Sequence, residues 1–257
     1  MRNLNDLSTT QRVELAKKKT QRLVDLTIDL IARHEINRIV VYSPRLATQI
    51  PQSFAAHAFN SFQDSLYSFG LVRLCALWGK PRSNDFEMES IPAVVDLIEP
   101  AAVLDSLQRE AYLQHSNPIP IIGLQDEPPE IRAAIEQEER ASTESWARQQ
   151  SEKFRRQLET AIQRTRRISS STRLESIVNH RDKHLAHSLA ETQREKRGPV
   201  QALKYGYERD LIWKTVAIVD RLHLGINGAG FSWKESVRIA RKNAEALWYG
   251  CTFKVLE

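Results

Sequence analysis

Apolar residues in this chain recur at helical intervals, with almost none of the strict alternation of a half-buried strand. Ser8 is a good N-cap, and Val13, Leu15, Leu23, Leu26, Leu30 and Ile31 keep mostly helical spacing, which predicts a first helix to about Ala32. INRIVVYSPRLATQIP follows, β-branched and bracketed by Pro44 and Pro51, and reads as an irregular or partly extended connection. A second helix is predicted from Pro51 to about Gly79. Phe54, Ala58, Phe62, Ser65, Phe69, Val72 and Ala76 form one face, and Leu66, Leu74 and Leu77 broaden it, so this helix is expected at the centre of the fold. After the polar turn GKPRSND, two shorter helices are predicted at about Ile91 to Ile98 and Pro100 to Leu113, with prolines near their starts.

SNPIPIIGLQDEPPE is a loop or a boundary. The helix predicted after it, about Pro129 to Ile168, is long, polar and charge-segregated. Glu130, Glu136, Glu138, Glu139 and Glu144 fall early; Arg148, Lys153, Arg155, Arg156, Arg164, Arg166 and Arg167 fall late, in keeping with the helix dipole. Trp146, Phe154, Leu158 and Ile162 give it a narrow docking stripe. Its basic end is either a solvated face, the first choice, or a platform for RNA. Ser169 to Ser171 break it, and a helix at about Thr172 to Ala190 comes next. A basic loop, ETQREKRGPVQALKYGY, leads to a helix at about Glu208 to Leu224 with Ile212, Val216, Val219 and Leu222 inward. After GINGAG, a last helix capped by Ser232 runs from about Trp233 to Phe253, carrying Val237, Ala240, Ala244, Leu247 and Trp248.

Only nine glycines in 257 residues support an all-α fold. The length and 41% hydrophobic content suffice for one helical domain over 1–257, with the charged helix 129–168 as an extension or an insertion within it. No apolar run approaches the roughly 20 residues that cross a bilayer, and no apolar stretch follows the basic start, so neither a membrane span nor a secretory signal is expected. The two cysteines, Cys75 and Cys251, lie far apart in apolar segments predicted helical. They read as reduced buried thiols, which leaves no cysteine-built zinc site. The net charge of +5, from 37 basic against 32 acidic residues, permits an anionic partner such as RNA without demanding one.

The chemistry concentrates in NHRDKHLAHS, Asn179 to Ser188. Projected at about 100° per residue, Leu174, Ile177, Val178, Leu185 and Leu189 form an apolar face. Arg181 falls inside that face, where a guanidinium needs an acceptor. His180, His184 and His187 line its edge. Three readings stay open on the residues alone. RNA cleavage without a metal needs a group that exchanges protons with a 2′-hydroxyl and a leaving oxygen, and fixed positive charge for the phosphorane; histidine and arginine supply these. The three histidines also have spacing compatible with a metal, but HRDKH lacks the glutamate of HExxH. Structurally, Arg181 paired to a carboxylate would simply hold the bundle together, and on residue types alone this stands first.

Arg181-Asp182-Lys183-His184-Leu185-Ala186-His187 resembles the R-x(4–6)-H signature of HEPN domains, and HRDKHLAH late in an all-helical chain is most similar to the AbiU2-like branch. AFNSFQDSLYSFGLVRLCALW and the later helix with Trp213 and VAIVDRLHL resemble core helices of that branch, so the likeness spans roughly 50–250. The resemblance implies a HEPN-like helical bundle that dimerises in the cytoplasm, with two motif copies lining one cleft. It implies a metal-independent endoribonuclease with no cofactor, leaving a 2′,3′-cyclic phosphate and a 5′-hydroxyl. It would be a toxin or an anti-phage, abortive-infection effector acting on RNA beside an antitoxin or defence partner protein. Arg181 would stabilise the phosphate, His187 would act as general acid or base, Asp182 would orient one of them, and His184 would assist. The alternative is a non-catalytic HEPN-like module that binds RNA or a partner protein. Some HEPN toxins carry a modifiable tyrosine two residues after the motif histidine; Leu189 stands there, so that control is not supported.

Overall fold

A computed structural model describes residues 4–81, 87–117 and 128–255. Residues 82–85 of the expected turn and 118–127 of the expected boundary lie outside them. Among the described residues every regular element is helical, so the fold is all-α. Helix α1 (Thr9–Val40) is the axis of the bundle, with α8 (Tyr207–Asn227), α9 (Trp233–Trp248), α3 (Phe54–Leu77), α4 (Ile91–Ile98) and α5 (Ala101–His115) packed around it. Helix α6 (Pro129–Ser169) closes the bundle against α5, α8 and α4, and a short α2 (Pro44–Ala47) follows α1. Ser8 and Gln11 form a reciprocal capping box at the start of α1.

Helix α1 runs on well past Ala32, where an irregular connection was expected. Ile39 and Val40 are buried in a second, smaller core with Leu46, Phe59 and Ala244, and Ile36 packs against it. This burial overrides the modest helix propensity of β-branched residues. The last helix differs in the opposite sense. It ends at Trp248, so Cys251 lies beyond it and is only half-buried. Of its expected stripe only Ala244 is buried, and Leu247 is 63% exposed.

Helix α3 departs furthest from expectation. Its ends match, but it is not central. The face of Phe54, Ala58, Phe62, Ser65, Phe69, Val72 and Ala76 is exposed along its whole length. It is the opposite side, through Leu71, Leu74, Cys75 and Leu77, that meets the core. Trp78, just past the helix, anchors this end by donating from Nε1 to the buried Thr215 Oγ1 at 2.8 Å. From Ala58 to Ala76 the exposed positions step alternately by four and three residues, the spacing of a coiled-coil seam.

Helix α6 divides in two. Up to Trp146 it has no buried residue, and Trp146 itself is exposed. From Ala147 onward, Ser151, Phe154, Leu158, Ala161 and Thr165 are buried, a stripe shifted by one position from the expected Trp146. It meets α8 closely at Gly225, where a Cβ would sit 2.5 Å from Leu158 Cδ2.

Candidate functional site

The motif begins as the expected helix and then departs from it. Helix α7 (Thr172–His180) is capped by Ser171, whose hydroxyl accepts from the Leu174 amide, and it buries Leu174 and Ile177. From Arg181 to Ala186 the backbone widens into a π-helical turn, and His187 is extended at φ −145°, ψ 152°. The single helix expected to Ala190 therefore stops short. Extra turns of this kind often mark functional sites because they re-aim side chains. The ideal projection fails here for the same reason: Leu185 is half-buried, but Leu189 faces solvent.

Arg181 finds its acceptor next door. Its Nε donates to Asp182 Oδ1 at 2.9 Å, and Nη2 contacts the same oxygen. The other Asp182 oxygen accepts from Arg194, so one carboxylate sits between two guanidinium groups. Arg181 Nη1 is engaged by no hydrogen bond among the described residues. Arg181 and Arg194 help line a cavity of about 570 Å³ with Cys75, Trp78, Lys80 and Leu174. Burial pushes the Cys75 thiol up to about 11, so this wall is an uncharged thiol.

The loop after the motif is fastened back onto it. Thr192 and Glu195 form a second capping-box arrangement. The Glu195 amide donates to Thr192 Oγ1 at 3.2 Å, and the Thr192 amide donates to Glu195 Oε2 at 2.8 Å. The Glu195 carboxylate also accepts from Asn179 Nδ2 at 3.0 Å and from Lys183 Nζ at 3.0 Å. The Thr192 amide, then Lys183 and Asn179, hold its carboxyl down at about 2, well below the usual range. Thr192 Oγ1 and Asn179 Oδ1 close the ring of contacts.

The structure thus brings Arg181 and Asp182 into direct contact. It places His184 beside His180, ring centroids 4.9 Å apart, and leaves both His184 and His187 exposed. Burial, and then the neighbouring His184, lower the His180 pKa, which keeps that imidazole neutral at pH 7. Among the described residues no hydrogen bond joins His187 to Arg181 or Asp182, and no group of three or more His, Cys, Asp or Glu side chains is gathered to hold a metal. Asn179, Arg194 and Glu195 carry much of the local order and were not singled out as site residues. The signal for Glu195 was present in Thr192-Gln193-Arg194-Glu195, a T-x-x-E box inside a stretch that otherwise reads as a basic loop.

No helix among the described residues is long and apolar enough to cross a membrane. No curated protein and no solved structure matches the chain. A family model does: HEPN_AbiU2, described as AbiU2, matches residues 16–247, which take in the bundle from α1 to α9 and the whole of the Arg181–His187 motif. The chain belongs to the HEPN AbiU2 family.

Proposed function

We propose that this protein is a metal-independent endoribonuclease of the HEPN type, acting in the cytoplasm as a toxin or abortive-infection effector. The observation that carries the reading is Arg181. Its guanidinium is fixed by Asp182 in the lining of a cavity, with one nitrogen uncommitted among the described residues, and an exposed histidine follows six residues on. His187 takes the proton from a 2′-hydroxyl. The freed oxygen attacks the adjacent phosphorus, and Arg181 stabilises the charge that builds on the phosphorane. The 5′-oxygen leaves with a proton from a second imidazole, giving a 2′,3′-cyclic phosphate and a 5′-hydroxyl. Asp182 orients Arg181, and His184, within the π-helical turn, is the auxiliary group.

The second imidazole comes from a second copy of the chain. Support lies in α3, whose exposed seam includes Phe62 at 41%, Phe69 at 46% and Val72 at 37% exposure. The seam is self-complementary in spacing and runs along a helix of 24 residues, about 36 Å.

The alternative is a non-catalytic HEPN-like module that holds RNA, an antitoxin or a defence partner protein. The closed Arg181–Asp182–Arg194 network favours it, because Asp182 already neutralises part of the charge a phosphate would use. The test is cleavage of a mixed RNA pool in EDTA by wild type, Arg181→Ala and His187→Ala. Cleavage by wild type alone, leaving cyclic phosphate ends, is the expected result. Equal cleavage by all three overturns the site, and cleavage by none favours the module.

A further inference from the structure

The basic end of α6 is not uniformly solvated. Arg148, Arg155, Arg156 and Arg166 are each tied to carboxylates, with Arg166 clamped between Asp96 and Glu99. Among the described residues no carboxylate pairs with Arg164 or Arg167. These two arginines line a pocket of about 620 Å³ between the end of α6, the start of α7 and α8. Arg173 and Lys214 line it as well, and both contact Asp210, Lys214 at 2.7 Å. Four cations against one carboxylate leave a pocket charge of 4 − 1 = +3.

The excess extends along α8. Arg221 lies one turn beyond Ala217, to whose carbonyl its Nη1 donates at 2.6 Å, and its Nε is buried without an acceptor. Burial, followed by the nearby Arg164 guanidinium, lowers the Arg221 pKa. Asp220 offsets this only in part, and guanidinium groups crowded together are stabilised by an anion that enters between them. The first two backbone N–H groups of α7, at Thr172 and Arg173, have no carbonyl within their helix and add positive character at the rim.

The pocket is also aromatic. Trp213 is 38% exposed on its α8 wall, and Tyr207 lies beneath the Arg173 guanidinium at 5.3 Å. A part-exposed indole, held in T-shaped contact with His34 at 5.8 Å, offers a stacking surface beside unpaired arginines that offer a phosphate site. The volume falls within the range of about 300–1,000 Å³ usual for small-ligand sites.

We propose that this pocket binds a nucleotide, its phosphate on Arg164 and Arg167 and its base against Trp213. The nucleotide is either free or a flanking unit of an RNA strand. The pocket stands back to back with the Arg181 cavity, and Ser171 lies in the wall of both. The proposal goes beyond strand cleavage and does not depend on it.

Tryptophan fluorescence of the full chain tests it, with adenosine 5′-monophosphate, adenosine, and a short 2′-O-methyl oligonucleotide that cannot be cleaved. The Trp213→Phe variant assigns the signal among the five tryptophans. Adenosine monophosphate or the oligonucleotide is expected to quench Trp213 saturably. Arg164→Gln with Arg167→Gln weakens that binding about tenfold or more with helicity unchanged, whereas Arg181→Ala leaves the monophosphate titration unaltered. Adenosine binds far more weakly than its monophosphate. An oligonucleotide much tighter than the monophosphate, and weakened by the double variant, names the strand as the source; equal affinities name the free nucleotide. Equal binding by wild type and the double variant, or no Trp213 response to either probe, overturns the proposal.

Discussion

The two concave surfaces on either side of the α6–α7 junction treat charge in opposite ways. At the motif, each of the principal cations has a carboxylate partner. Asp182 holds Arg181 and Arg194, and Glu195 holds Lys183. In the adjoining pocket, Arg164 and Arg167 have no such partner among the described residues, and Arg173 and Lys214 share one carboxylate. Paired charges are fixed in direction, which suits a site that must position a reacting group. Unmatched charges attract anions strongly but leave the ligand's orientation to the aromatic wall. The difference separates a place built for geometry from a place built for capture.

Breaking the motif gives the largest expected effect. His187→Ala lowers RNA cleavage by about 10²–10⁴-fold, the usual contribution of a positioned acid or base, and leaves the adenosine monophosphate titration of Trp213 unchanged. Loss of both together would show that the two surfaces are one site. Removing the seam comes next. Phe62→Glu with Phe69→Glu is expected to give a monomer by light scattering and to cost more than about tenfold in cleavage, because charge on an apolar interface blocks docking. Nucleotide capture persists in that monomer.

Asp182→Asn converts the motif toward the character of the pocket, freeing two guanidinium groups at once. Cleavage is expected to fall about tenfold as Arg181 loses its orientation, while affinity for the uncleavable oligonucleotide rises severalfold. A variant that cleaves as well as wild type would show that the Arg181–Asp182 contact has no positioning role.

The smallest effect concerns the loop. The Glu195 carboxyl is held near 2, below its ordinary 4.5, so its contribution is complete above pH 4.5 and is lost only as the pH falls through about 2. Hydrogen exchange at the Thr192 amide should therefore stay slow at pH 4. Glu195→Gln speeds it severalfold at every pH and flattens its dependence at the acid end.

Much of this fold was legible in the chain. Helix α4 matched its predicted span, and α6 and α8 came within a few residues, because proline, serine and glycine punctuate strongly periodic segments there. Ser8 was legible as a cap because capping chemistry is local. The motif was legible as a string of residue types, but its shape was not. A π-helical turn at Arg181–Ala186 depends on contacts from Thr192 and Glu195, which a projection of one helix does not contain. Apolar content misled at α3, since periodicity reports an apolar face without saying what covers it.

By itself the sequence determined the helical class, the order of the helices and the family motif, all of which follow from local propensity, capping and short-range pattern. The tertiary structure alone decided that α1 continues through its β-branched end, where burial in the second core outweighs propensity. It decided which arginines of α6 are neutralised, because Arg166 meets Asp96 and Glu99 from distant positions in the chain while Arg164 and Arg167 meet no carboxylate among the described residues. It also left Phe62, Phe69 and Val72 of the α3 seam more than a third exposed. Charge pairing and burial are properties of neighbours in space, and those neighbours are set only when the helices pack.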